Sequence, residues 1–242
     1  DNIEFGFKWG VMEGRGLWNF ALYYQTYTDF QYLAEVAFRT PEAGIDIETP
    51  VVNVDEAEVY GFDSDFTILV SEQWTLSAAV SYNSTELSDA SDVPCINDEP
   101  IGDEVWSFNT CDLTGDRAGN LPEWSANLFT EYFIPTGSGN SEWYARALLN
   151  WESEYYSNTE EGDLDSYTTL DLFLGWRTAS RSWDAQIWAR NVFDETAELD
   201  NEAVQPVPDY DNPAGGQLVT GYTWVRNQLN PRTIGLTVSY NF

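Results

Sequence analysis

The sequence predicts an all-β protein whose strands cross a membrane as part of an antiparallel β-barrel. Hydrophobic and polar residues alternate with a period of two in nine segments, the pattern of strands with two different faces. Aromatic residues make up 16% of the chain although the mean hydropathy is negative at −0.39, so large apolar side chains are interleaved with polar ones. The connections between the segments also alternate strictly between short and long. Together these features favour a barrel wall over a soluble core.

The last segment, Arg232 to Phe242, shows the alternation most clearly. Large apolar residues occupy one face and small polar residues occupy the other. The apolar face holds Ile234, Leu236, Val238, Tyr240 and Phe242. This arrangement suits a strand with lipid on one side and water on the other. The other eight segments lie at about 4–9, 18–25, 60–68, 74–83, 121–134, 143–155, 166–176 and 183–192.

Four short links join the segments in pairs, and each contains residues suited to tight turns. They are Met12–Gly16, Ser71–Gln73, Thr136–Ser141 and Thr178–Arg181. The long links include four acidic stretches, 35–58, 86–121, 157–165 and 194–213, which hold 27 of the 41 carboxylates and only two basic residues, Arg39 and Arg117. Such stretches are predicted to be solvated loops. Short turns at the periplasmic rim and long loops outside are typical of bacterial outer-membrane barrels.

Composition excludes several other classes of protein. No run approaches the ~20 apolar residues that a membrane-spanning helix needs, and a formal net charge of −31 opposes binding to nucleic acid. The chain has no His, which removes the usual general base and the commonest transition-metal ligand, so no enzyme activity is expected. A soluble β-sandwich is disfavoured by charges on the inner faces of the segments, which a dry interior would not tolerate unpaired. The charged candidates for a wet lumen are Arg146, Asp171, Asp184 and Arg190.

The two cysteines, Cys95 and Cys111, both lie in the 86–121 stretch. An even number of cysteines this close together, outside the strands, predicts one disulfide that staples a loop. The alternative is a pair of free thiols, which an oxidising compartment disfavours.

An odd number of strands does not close a single-chain bacterial barrel, in which strand numbers are even. We therefore expect further strands before Asp1, and the absence of a signal peptide indicates a mature chain. If Phe242 ends at the periplasmic rim, the first segment runs from the outer surface toward Met12.

Four motifs resemble those of TonB-dependent receptors, the ligand-gated importers of the bacterial outer membrane. Trp188–Glu195 (WARNVFDE) resembles the family's signature at the exit of the penultimate strand, with Val192 in place of the usual Leu. Pro231–Phe242 is similar to the closing strand, and Asn120–Leu128 to a proline-bearing start of a mid-barrel strand. Ala57–Asp63 matches a Tyr-Gly-acidic pattern, with Asp63 where Glu is commoner.

The resemblance implies that residues 1–242 are the last nine strands of a 22-stranded barrel. The plug domain and the TonB box would lie upstream. The implied function is TonB-dependent import of a scarce nutrient, such as an iron–siderophore or other metal chelate, cobalamin or an oligosaccharide. A passive porin is the main alternative, and an outer-membrane hydrolase and a barrel for adhesion or secretion are further ones. Expected partners are lipid, lipopolysaccharide, TonB and the nutrient.

Several residues are candidates for specific roles. Tyr240 and Phe242 resemble the C-terminal signal that the barrel-assembly machinery recognises. Lumenal Arg146, Asp171, Asp184 and Arg190 either contact the substrate or plug, or form a ladder of cross-strand charge pairs, which is the favoured interpretation. Loop aromatics are candidate ligand contacts: Trp106, Phe108, Tyr210, Tyr222 and Trp224. No cofactor is expected beyond loosely held Ca²⁺ at acidic loops such as Glu160, Glu161, Asp163 and Asp165.

Overall fold

The computed structural model describes residues 1–41, 45–97, 101–119, 121–137, 139–156, 163–204 and 223–241. Apart from one 3-10 turn, Met12–Gly14, the regular structure of these residues is β-strand. In chain order the strands are β1 Asn2–Val11, β2 Gly16–Leu33, β3 Val36–Arg39, β4 Ile45–Glu48, β5 Val51–Ser71, β6 Trp74–Asp89, β7 Val93–Cys95, β8 Asn109–Cys111, β9 Trp124–Pro135, β10 Ser141–Glu152, β11 Tyr155–Tyr156, β12 Asp163–Leu164, β13 Tyr167–Thr178, β14 Trp183–Arg190, β15 Glu198–Val204, β16 Thr223–Gln228 and β17 Thr233–Tyr240. No helix in the described residues has the length and hydropathy that a membrane span requires.

Nine long strands form one sheet in the order β1-β2-β5-β6-β9-β10-β13-β14-β17. The registered pairs from β6 to β17 are all antiparallel. The remaining strands form four two-stranded hairpins, β3-β4, β7-β8, β11-β12 and β15-β16. All nine predicted segments are therefore strands of one sheet, and the all-β fold class is confirmed. The count of 22 strands stays a prediction.

The short links fold as the tight turns that their sequences predict. In the first turn Met12, Glu13 and Gly14 all have positive φ, and the Arg15 amide donates to the Met12 carbonyl at 3.2 Å. In the turn between β13 and β14, Arg181 has φ +56 and its amide donates to Thr178 at 2.9 Å. These turns fix the register of the strands that they join.

The prediction that the acidic stretches are entirely loop was wrong. Strand β5 begins at Val51 and β6 continues to Asp89, well inside the predicted loops, and 36–39 and 45–48 pair as a hairpin. The physical reason is that sparse apolar residues between the carboxylates point inward and pack together. The buried cluster consists of Ala34, Val54, Ala57, Leu87, Ala90 and Val93. Its burial stabilises strand ends whose overall composition is polar.

The chain divides into two compact units. The first contains Asp1–Gly6, Ala21–Phe62 and Asn83–Gly119, and the second contains Phe7–Phe20, Asp63–Tyr82 and Asn120–Phe242. The apolar cluster is the core of the first unit. Backbone bonds close the chain around it, among them Leu87 N–H to the Asp116 carbonyl at 2.8 Å and Ala34 N–H to the Pro50 carbonyl at 3.0 Å.

In the second unit, two glycines lie under aromatic rings of the neighbouring strand. A Cβ on Gly235 would lie 2.2 Å from the Trp188 ring, and one on Gly175 would lie 2.3 Å from the Tyr144 ring. The Trp188 ring cannot move away easily, because its Nε1 donates to Thr237 Oγ1 at 3.0 Å and the Arg190 guanidinium lies 5.2 Å from the ring centroid. Each ring thus occupies the space above a glycine, where any other residue would carry a side chain. The ring therefore fits only one register of the two paired strands.

Gly235→Ala is therefore expected to destabilise the joint between β14 and β17. The added methyl must displace Trp188, an overpacking change that typically costs about 1–3 kcal/mol. On a semi-native gel the folded full-length protein migrates as a band separate from that of the unfolded protein. The measurement is the temperature at which the folded band is lost. Gly10→Ala is the matched control, since a Cβ there meets nothing within 4 Å. Equal melting of the two variants would contradict the role given to Trp188.

Candidate functional site

The register of the second unit sorts its side chains onto two faces. Directly paired residues share a face, so the pairs Thr75–Glu131, Glu131–Arg146, Arg146–Phe173 and Phe173–Trp188 define one continuous polar face. The opposite face carries apolar residues, including Leu76, Leu128, Trp143, Leu149, Leu174, Ile187, Leu236 and Val238. Several of these are well exposed despite their apolar character: 52% for Trp143, 54% for Leu174 and 73% for Leu236. A sheet with one such face needs an apolar environment on that side.

All four charged candidates for the lumen lie on the polar face, and each has a partner in the wall. Arg146 Nε binds Glu131, and Asp184 Oδ1 accepts the Tyr144 hydroxyl at 2.9 Å. Asp171 Oδ1 accepts the Asn191 backbone N–H at 2.9 Å, and Arg190 lies over the Trp188 ring. Of these four contacts one, Arg146–Glu131, is a cross-strand charge pair, and the other three join a charge to a hydroxyl, a backbone amide and an aromatic ring. The choice between a charge ladder and direct contact with the substrate or plug stays a prediction.

Tyr144 is the centre of this network and is 2% exposed. Two guanidinium groups lie over its ring, with Arg146 4.5 Å and Arg177 4.9 Å from the centroid. Its hydroxyl also lies 3.3 Å from Gln186 Oε1. A cation over an aromatic ring is an attractive arrangement when water is largely excluded.

Arg177 joins two carboxylates to the same network. Its Nε binds Glu142, and its Nη2 lies 3.3 Å from Glu131 Oε1. Its side chain is only 7% exposed, against 31% for Arg146. Sequence reasoning placed Arg146 and Asp184 but missed Tyr144, Arg177, Glu131 and Glu142. Alternation places these residues on the polar face, but only the register shows that they meet.

Loop aromatics in the first unit form a second candidate site. The rings of Phe38 and Trp106 stack with centroids 5.6 Å apart and planes at 28°, and Phe38 forms an isolated backbone bridge with Phe108. Trp106 is 62% exposed and has φ +70, an uncommon conformation for a bulky residue. We call Phe38, Trp106 and Phe108 the aromatic platform.

Arg39 bonds to the loop that carries Trp106, and a disulfide lies shortly after Phe108 in the chain. Arg39 Nε donates to the Gly102 carbonyl at 2.8 Å, and its backbone exchanges bonds with Ser107 at 3.1 Å and Trp106 at 2.8 Å. The structure pairs Cys95 with Cys111 in a disulfide that links the two strands of the β7-β8 hairpin. Beside Cys111, hydrogen bonds from the Thr114 hydroxyl and amide lower the pKa of the Asp112 carboxyl.

The other candidates are described only in part. Tyr210, Tyr222 and Phe242 lie outside the described residues, and for Trp224 only its place in β16 is described. Tyr240 lies in β17 and its ring is 4.7 Å from that of Trp183. Glu160 and Glu161 also lie outside the described residues, and in the described part of the chain no three acidic or Cys side chains are grouped to hold a metal ion.

Comparison with known proteins identifies the family. Residues 1–192 match the profile of the TonB-dependent receptor-like β-barrel. The chain therefore belongs to this family, whose barrels are outer-membrane proteins, and the resemblance seen in its motifs is confirmed. No curated protein sequence matches the chain significantly.

Solved structures of receptors share the fold at low sequence identity. The ferric yersiniabactin uptake receptor FyuA from Yersinia pestis matches all of this chain at 16% identity with a TM-score of 0.66. The siderophore receptor PiuA from Acinetobacter baumannii matches 98% of it at 16% identity and 0.61, and the copper transporter OprC matches all of it at 15% and 0.59. The chain spans only 29%, 27% and 31% of these three proteins.

Removing Arg177 is expected to weaken the wall more than removing Arg146. In Arg177→Met, Glu131 and Glu142 both lose a largely buried partner, and we expect a loss of about 2 kcal/mol of unfolding free energy, less than for a fully buried pair because the carboxylates are partly exposed. In Arg146→Met, Glu131 is the one carboxylate that loses a partner, at a more exposed position, and the loss should be about 1 kcal/mol or less. Urea unfolding of the full-length protein in detergent measures both. A larger loss of unfolding free energy in Arg146→Met than in Arg177→Met would show that Arg177 is not the principal link in this network.

Proposed function

We propose that this chain forms part of the wall and outer loops of a receptor that imports a scarce nutrient across the bacterial outer membrane by TonB-dependent, ligand-gated transport. Membership of the receptor family across residues 1–192 is the observation that carries the proposal. The two-faced sheet supports it, because an apolar face suits lipid and a polar face suits a wet lumen. In this arrangement the short turns face the periplasm and the long acidic links face outward.

Energy would reach the channel through a plug domain and a TonB box, which the family resemblance places before the barrel. The wall described above is suited to a passive part in this process. The charges of Glu131, Arg146 and Arg177 are paired with one another, so these side chains can line a lumen without holding a passing ligand tightly. The moving parts would then be the plug and the outer loops rather than the sheet.

A metal chelate is the first ligand class to test. The names of the three similar proteins refer to ferric yersiniabactin, to siderophores and to copper. The excess of 31 negative charges on this chain opposes a strongly anionic ligand, unless divalent cations such as Ca²⁺ screen the acidic loops beside lipopolysaccharide. We therefore favour a neutral or cationic chelate over an anionic one, with cobalamin and oligosaccharides as further classes.

The aromatic platform is the best candidate for ligand contact within the described loops. One side of the Trp106 indole is stacked on Phe38, and most of the residue is still exposed. A left-handed backbone at a bulky residue typically costs about 1–3 kcal/mol and persists where its surroundings enforce it. Here the Arg39 carbonyl accepts the Trp106 amide at 2.8 Å, and the Arg39 Nε donates to the Gly102 carbonyl of the same loop. The result is a rigid, exposed ring face that suits stacking on a flat ligand.

Uptake measurements separate gated import from a passive pore. We expect a deletion strain to lose saturable uptake of one probe among labelled ferric siderophores, copper, cobalamin and maltodextrins. The loss should be reproduced by inactivating TonB or by adding a protonophore, because active import depends on the proton gradient. Uptake that is not saturable and continues without TonB would support the porin and overturn this proposal.

Trp106→Ala is expected to weaken binding of the probe that the uptake panel identifies. Loss of one aromatic stacking partner should raise the Kd about two- to tenfold. Equilibrium binding to whole cells measures it, with surface labelling to confirm equal amounts of receptor. Trp9→Ala is the matched control, because Trp9 is also exposed, at 60%, but lies in β1 beside a short turn. An unchanged Kd for Trp106→Ala would exclude the platform as a ligand contact.

A further inference from the structure

The segment between β14 and β17 contains the receptor signature, yet it interrupts what is otherwise a single long hairpin. The pairing of β14 with β17, the lower ladder, ends with Arg190 opposite Thr233. The pairing of β15 with β16, the upper ladder, begins with Glu198 opposite Gln228. Seven residues, 191–197, thus face four residues, 229–232. The Leu229 amide donates to the Ala197 carbonyl at 3.1 Å, so pairing resumes at once beyond the interruption. Three residues on the first side are extra, as in an enlarged β-bulge.

Asn191 closes the bulge from inside. It is 6% exposed and has φ +48, a conformation that Asn tolerates better than most residues. Its side-chain Nδ2 donates to the carbonyls of Glu195, at 2.8 Å, and Asn230, at 2.9 Å, while its Oδ1 accepts the Glu195 amide at 2.9 Å. One amide side chain thus bonds to both sides of the hairpin.

Asp194 makes the second link across the bulge. Its φ is +58, and its amide donates to the Asn191 carbonyl at 2.9 Å. Its Oδ1 accepts the Arg232 backbone N–H at 2.8 Å, and its Oδ2 lies 3.7 Å from the Arg232 guanidinium. The side chains that define the signature therefore bond to backbone groups of the same hairpin.

Strand β13 supports the bulge from the other side. Asp171 Oδ1 accepts the Asn191 amide at 2.9 Å, and the Leu170 carbonyl accepts the Val192 amide at 2.8 Å. Above the bulge, the Tyr155 hydroxyl donates to the Leu199 carbonyl in β15 at 2.5 Å. The bulge is thus bonded to β13, and the beginning of β15 is bonded to β11.

We propose that Asn191 and Asp194, with Asn230 and Arg232, form a clasp that fixes the direction in which the β15-β16 hairpin leaves the sheet. The clasp keeps β14 and β17 paired up to Arg190 and Thr233 whatever the hairpin above them does. It acts by positioning, because the bonding groups of Asn191 and Asp194 are used within the chain. A role of the β15-β16 hairpin in ligand capture rests on the proposed function. The clasp itself does not depend on that function.

Asn and Asp suit this role for a physical reason. The bulge needs two left-handed residues, and it also needs acceptors and donors that reach backbone groups across the hairpin. Gly meets the first requirement but not the second. Gly substitutions therefore test the second requirement, since Gly adopts the left-handed conformation but removes the side-chain bonds; the gain in backbone freedom that Gly brings needs its own control.

The test uses the full-length protein in lipid vesicles with spin labels on Gln228→Cys, at the foot of the upper hairpin, and Leu236→Cys, in β17. Asn191→Gly and Asp194→Gly are expected to widen the distribution of label distances roughly twofold and to make trypsin cleavage after Arg226 about tenfold faster, because local opening becomes easier. Arg181→Gly is the matched control: Arg181 also has a left-handed backbone, φ +56, but lies in the turn at the other end of β14. It should leave both readouts unchanged.

Distances and cleavage rates equal to those of the parent would overturn the clasp. If Asn191→Gly does not assemble, the comparison of Asp194→Asn with Asp194→Gly decides, since Asn keeps an oxygen that can accept the Arg232 amide. Parent-like behaviour of Asp194→Asn together with loosening in Asp194→Gly supports the clasp, and identical behaviour of the two contradicts it. Neither measurement needs a ligand. The clasp can therefore be refuted while the transport proposal stands, and the transport proposal can be refuted while the clasp stands.

Discussion

Backbone hydrogen bonding in lipid is the constraint on which the rest of this structure depends. An unpaired N–H or C=O in hydrocarbon costs several kcal/mol, so a chain that crosses without helices must pair every strand with its neighbours. Pairing fixes a period of two for the side chains, and a slip of one residue would move every apolar group to the wrong face. The packing of Tyr144 on Gly175 and of Trp188 on Gly235 opposes such slips, because each ring fits over one glycine of the adjacent strand.

The same constraint explains why the polar face is so highly interconnected. Each strand has one face for lipid and one for water. Charged side chains are therefore confined to the polar face, where they lie beside the side chains of the neighbouring strands. Arg146 and Arg177 therefore share Glu131, and both stack on Tyr144. The loops are not bound by this rule, and there the opposite is seen: Trp106 is held rigidly by Arg39 yet left exposed. In the wall the side chains of Glu131, Arg146 and Arg177 bond to one another, whereas in this loop a large aromatic side chain is left exposed.

Local patterns made much of the fold predictable, and non-local contacts account for what was missed. Alternation located all nine sheet strands, since each strand shows it in its own residues. The extension of β5 back to Val51 escaped prediction because Val54 and Ala57 are buried in a cluster with residues distant in sequence, such as Leu87. Asp171 was predicted to face the lumen with a charge partner, but it accepts the Asn191 amide, a contact that depends on how β13 and the bulge meet. Trp106 was predicted as an exposed loop aromatic, but not its stacking on Phe38.

The low identity to solved receptors shows that this fold tolerates wide changes of sequence. Sixteen per cent identity over the whole chain accompanies a TM-score of 0.66, so the fold is shared while most residues differ. Features that do not follow from the two-residue period of the strands have other causes. The aromatic platform and the disulfide are such features, and their residues belong to loops and to short strands outside the nine-stranded sheet. Because function is carried by sites rather than by folds, ligand selectivity is expected in the loops, and the clasp matters because it joins one of them to the sheet.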